Sequence, residues 1–74
     1  MRMEYKAVGN KVIMADQYEQ FDVCLCDEPE KAIKLFNRGH YLNDVKRQYT
    51  ASARLFAQAE ELPGFAWIVP PKED

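Results

Sequence analysis

The chain carries two hydrophobic periods, and the change from one to the other falls near residue 27. Met3 to Val8 is a short run of strand formers, Gly9-Asn10 is a two-residue turn signal, and Lys11-Val12-Ile13-Met14 resumes the apolar run, a pattern that predicts a hairpin. Asp16 to Gln20 interrupts it with polar residues. Phe21 to Cys26 then alternates, with Phe21, Val23 and Leu25 on one face and Asp22, Cys24 and Cys26 on the other, and this third strand is expected to pair with the second.

Beyond residue 27 the period becomes helical. Asp27-Glu28-Pro29-Glu30 reads as a helix start: Asp27 to cap the free amides, Glu30 to complete a capping box, and Pro29 in the first turn, where its missing N–H costs nothing. Ala32, Ile33, Leu35 and Phe36 form the apolar stripe. Gly39 is expected just past the end of this helix, with Arg38 set against the dipole. Leu42, Val45, Tyr49, Ser52 or Ala53, Phe56 and Ala59 recur at steps of three to four, which predicts a second, longer helix from Tyr41 to Glu61 with one face on the sheet. Leu62-Pro63-Gly64 ends it. Phe65 to Val69 is the most strand-like segment, closed by Pro70-Pro71, with residues 71–74 read as a frayed tail. The order β-β-β-α-α-β predicts an α+β, two-layer single domain over residues 1–74, a mainly antiparallel sheet with two helices on one face.

Composition narrows the classes. Seventy-four residues, 47% apolar and 30% charged, make one globular domain and exclude a two-domain enzyme. A core of this size contributes about 3 to 5 kcal/mol, so self-association is a natural source of further stability. No apolar run exceeds the five residues Phe65 to Val69, so neither a signal peptide nor a membrane span is expected and the protein is read as cytoplasmic. The net charge of -2 conceals a polarity: Lys31 to Arg54 carries +5 and the remainder -7. Either half offers a surface to a charged partner.

Cys24 and Cys26 sit one residue apart, where an extended chain holds their α-carbons about 6.6 Å apart, a poor disulfide span. With His40 and Asp27 they form the sole grouping that hints at zinc, against the plainer reading of packed, reduced thiols. One histidine supports no Ser/His/Asp or Cys/His arrangement, and the chain has no phosphate loop and no nucleophile elbow. The residues therefore point to a protein that is not an enzyme and calls for no cofactor.

Three surfaces are candidates for contact. Lys46, Thr50 and Arg54 are spaced i, i+4, i+8 with Arg47 alongside, a basic stripe on one flank of the second helix that suits phosphates or an acidic partner. Asp16, Glu19 and Asp22 form an alternative acidic edge. Phe65, Trp67 and Val69 form a possible apolar interface, because both faces of the sheet read as apolar and two helices cover only one.

The stretch from Tyr5 to Asn37, with its Gly-Asn hairpin, its strand ending in Cys-x-Cys-Asp and its capped helix ending in Leu-Phe-Asn, resembles the opening of many very short phage and prophage proteins. The resemblance implies a stoichiometric binder that blocks or redirects a host machine, such as a restriction or CRISPR system, and it carries over no functional residue. The expected partner is thus a host protein met in the host cytoplasm. A nucleic-acid-binding accessory protein using the basic stripe is the alternative, disfavoured by the acidic net charge. A homodimeric structural or assembly component is the third reading.

Overall fold

Gly9 adopts φ 63°, a left-handed conformation that side chains resist, and this lets the chain reverse within two residues between strands β1 (Glu4–Val8) and β2 (Lys11–Ala15). A polar turn leads into β3 (Gln20–Leu25), helices α1 (Pro29–Asp44) and α2 (Tyr49–Glu60) follow, and β4 (Ala66–Trp67) closes the sheet. This computed structural model describes residues 4–68. The α+β order holds: all neighbours pair antiparallel in the sheet order β1-β2-β3-β4. Met3, Val69 and the tail 71–74 lie outside the described residues. Among those described, no helix is long and apolar enough to cross a membrane.

The register settles which face meets the helices. Tyr5 pairs with Met14, and Ala7 with Val12, which in turn faces Cys24 and then Trp67; paired residues share a face. That face packs on the helices, for Val12, Cys24 and Cys26 form one buried cluster with Ala32, Phe36 and Ala59. A register shift between Val12 and Ile13 leaves Val23 without a partner on β2 and packs it against this cluster as well. The simple alternation that groups Val23 with Leu25 therefore fails at the bulge. The opposite face carries Lys6, Val8, Lys11, Ile13, Ala15, Asp22 and Leu25. Ile13 and Ala15 are buried there, outside the helix-side cluster, and Lys11 pairs with Asp22 at 3.3 Å beside Ile13.

The helices depart most from the sequence reading. Gly39 does not end α1; it is a buried interior residue, and the helix runs on to Asp44. Its missing side chain admits Phe56 of α2, since a Cβ on Gly39 would lie 2.8 Å from the Phe56 ring. The Ser52 hydroxyl, also buried, donates to the Gly39 carbonyl at 2.7 Å. Gly39 is thus a close-packing site between helices. The chain turns instead at residues 45–48, where Arg47 takes φ 56° and the Gln48 N–H reaches back to the Leu42 carbonyl at 2.8 Å. The expected helix from Tyr41 is therefore two pieces, and its stripe divides: Leu42 belongs to α1, whereas Ser52, Phe56 and Ala59 are the inward positions of α2.

The capping box at the start of α1 does not form. Glu28 is the N-cap without a side-chain bond, and its carboxylate pairs with Lys31 at 3.1 Å. Asp27 is drawn to the loop after α2, where its N–H donates to the Pro63 carbonyl at 2.9 Å and its carboxylate packs against Gly64. This ties the start of α1 to the end of α2. Pro29 does occupy the first turn.

Candidate functional site

The turn between the helices gathers three of the exposed large apolar side chains of the described chain. Tyr41 and Val45, one helical turn apart, are 51% and 62% exposed, and Tyr49 at the start of α2 is 58% exposed. Lys46 and Arg47 lie between Val45 and Tyr49, both exposed. Three large apolar side chains and two cations within nine residues make a surface unlike a solvated helix flank. Within it Arg47, a non-glycine residue, takes φ 56°, a conformation that is uncommon and concentrates at functional segments.

The basic stripe expected along one helix is consequently rearranged. Thr50 and Arg54 do share a face of α2, but Lys46 and Arg47 precede that helix and sit in the turn. All four remain exposed, spread from the turn to the middle of α2.

The acidic edge is largely committed to internal bonds. Asp16 accepts the N–H groups of Tyr18 and Glu19, both at 2.8 Å. These bonds, the one from Glu19 foremost, hold its carboxyl below the usual range. Asp22 is paired with Lys11, which leaves Glu19 as the exposed acid of the three whose side chain has no described bond.

Of the proposed apolar interface, Phe65 and Trp67 turn to the helix side and pack in an aromatic cluster around Phe36, with ring centroids 6.3 Å and 5.8 Å from it. Trp67 Nε1 donates to Glu60 at 2.7 Å. These rings close the core at the β4 edge. The third member, Val69, is outside the described residues.

Cys24 and Cys26 are free and buried. Burial, followed by the neighbouring Cys26, pushes the Cys24 thiol up to about 11, which suppresses the reactive thiolate. Among the described residues, no three His, Cys, Asp or Glu side chains gather as metal ligands. His40 is engaged elsewhere: its Nε2 is hydrogen bonded to the Tyr5 hydroxyl at 2.6 Å, and its ring meets Phe56 edge-on at 5.2 Å. Desolvation, and then the charge of Cys24, raises the Tyr5 pKa. Tyr5 and His40 are 35 residues apart, and no local pattern in the sequence signals their contact.

Beside this pair lies an open groove of about 780 Å³, lined by Glu4, Tyr5, Met14, His40, Tyr41 and Val45 among others. It shares Tyr41 and Val45 with the interhelical turn. No family model, curated protein or solved structure matches this chain.

Proposed function

We propose that the protein is a non-enzymatic binding module that occludes a surface on a partner protein through its interhelical turn. The observation that carries this reading is the exposure of Val45 and Tyr49 on either side of Lys46 and Arg47. Exposed apolar residues that cluster, with aromatics and arginine among them, are the composition of interface centres rather than of ordinary surface. The charge calls for an acidic partner: Lys46, Arg47 and Arg54 would meet carboxylates at the rim while Val45 and Tyr49 are buried. The resemblance of Tyr5 to Asn37 to short phage proteins supports a host machine as the target, including an anti-defence role against a restriction or CRISPR system.

The test is capture from host lysate with tagged protein, with and without nuclease, alongside the exposed-site variants Lys46→Glu/Arg47→Glu and Tyr49→Ala. One stoichiometric protein that survives nuclease and is lost with both variants, while their circular dichroism is unchanged, is the expected result. Retention of nucleic acid, or of partners that vanish with nuclease, would overturn it in favour of phosphate binding by Lys46, Arg47, Thr50 and Arg54.

A further inference from the structure

We propose that the free edge of β1 is the contact between two copies of this chain, paired antiparallel about Tyr5. Among the described residues β1 is bonded on one side only, by β2, so its other edge presents unpaired main-chain groups. The edge is uncovered: Glu4, Lys6, Ala7 and Val8 are all exposed, including Ala7, which faces the helix side.

The charge pattern selects the register. In an antiparallel pair related by a two-fold axis normal to the sheet, one residue of β1 faces its own copy, and the residues on either side face each other in exchange. With Tyr5 on the axis, each Glu4 stands opposite the partner copy's Lys6, giving two ion pairs of opposite sign on the same face. With Lys6 on the axis, more of the strand overlaps, but two ammonium groups stand directly opposite. With Glu4 on the axis, two carboxylates do. Like charges directly opposite destabilise a strand pair and opposite charges support it, so the sequence Glu4-Tyr5-Lys6 is self-complementary about Tyr5 alone.

The axis residue is also prepared for the contact. Tyr5 is fixed from the helix side by its bond to His40 and by its ring against Phe36, 5.2 Å between centroids, so pairing orders little that is not already ordered. Pairing would join two four-stranded sheets into one of eight strands and remove the exposed edge. Glu4 and Tyr5 adjoin the interhelical turn through the groove they share with Tyr41 and Val45, but the paired edge involves none of Lys46, Arg47 and Tyr49, and self-association read by protein concentration is a separate outcome from capture of another protein.

The experiment is sedimentation equilibrium of the full chain over roughly 1 to 500 µM, since a homodimer reveals itself through protein concentration. The parent chain is compared with Glu4→Lys, Lys6→Glu and the double exchange Glu4→Lys/Lys6→Glu. Both sites are exposed, and circular dichroism confirms that each variant folds. A reversible dimer is expected, with its dissociation constant raised about tenfold or more by either single exchange, which turns two attractive pairs repulsive, and restored by the double exchange. Pairing about Lys6 predicts no such rescue, because two carboxylates would then face each other. A monomer throughout, single exchanges without effect, or a double exchange that fails to recover the parent constant would each overturn the proposal.

Discussion

Replacing Gly39 with alanine is the most discriminating perturbation of this fold, because three placements of that residue give three different outcomes. The added Cβ would lie 2.8, 3.0 and 3.3 Å from Cε2, Cζ and Cδ2 of Phe56. Carbon atoms in packed interiors rest about 3.5 to 4.0 Å apart, so the ring must move by some tenths of an ångström. It has little room to do so, being stacked on Phe36 at 5.8 Å and edge-on to His40 at 5.2 Å. Overpacking of this kind costs about 1 to 3 kcal/mol. Against it stands the helix propensity of alanine over glycine, a gain of about 1 kcal/mol inside α1.

The two terms separate in a double-mutant cycle with Phe56→Leu, which withdraws the ring. In that background Gly39→Ala should stabilise by about 1 kcal/mol, whereas in the parent it should be neutral or destabilise by up to about 2, a coupling of about 1 to 3 kcal/mol. Urea unfolding followed by far-ultraviolet circular dichroism measures all four corners. Each kcal/mol also moves the melting temperature of a domain this size by about 4 to 8 °C. Equal stabilisation in both backgrounds would refute the contact between the helices at this point. Equal destabilisation in both would return Gly39 to a left-handed helix end, as its spacing in the sequence suggests.

Gly64→Ala should destabilise by about 1 to 2 kcal/mol through its left-handed backbone. A further loss is expected from the carboxylate of Asp27, 2.5 Å from the new Cβ, and this part should disappear in an Asp27→Ala background when the cycle is measured by urea unfolding. Alkaline pH should weaken the fold: Cys24 is raised from 9.0 to about 11, so its contribution is complete below pH 9.0 and lost as pH rises to about 11. The raised Tyr5 acts in the same sense above 10.0. The Cys24 share is at most about 2 kcal/mol after solvent screening, and Cys24→Ala should flatten the profile of urea midpoint against pH in that window. Asp16 acts at the opposite end, for its carboxyl is lowered from 3.8, so its stabilisation is present above that pH and lost as pH falls below it. Asp16→Asn should retain the turn and remove that acid dependence in the same titration.

The first three strands were legible because each carries its own local signal, whereas the strand expected over Phe65 to Val69 is only Ala66–Trp67, with Phe65 and Ile68 outside it. Gly9-Asn10 places the hairpin, and the period of two places β3, whose only irregularity is a bulge that depends on pairing with β2 and leaves no mark in a single strand. The helices carry an ambiguous one. A glycine late in an apolar stripe reads equally as a terminator or as the point where another helix comes close, and the choice depends on Phe56, 17 residues further on. The true end of α1 lacks glycine and proline altogether: Asn43 and Asp44 are weak helix formers, and Arg47 takes the left-handed place that glycine usually fills. Because Leu42, Val45 and Tyr49 happen to continue the helical spacing across this break, the period suggests one long buried face where there are two helices and an exposed turn. The same break relocates the candidate site. Once the chain bends at residues 45–48, Val45 and Tyr49 pass from an inferred core stripe to the surface, and Lys46 and Arg47 from a helix flank to the turn between them. The composition of the surface was therefore readable residue by residue, while its convergence was set by long-range packing at Gly39, Ser52 and Phe56, which holds α2 against α1 and forces the intervening residues outward.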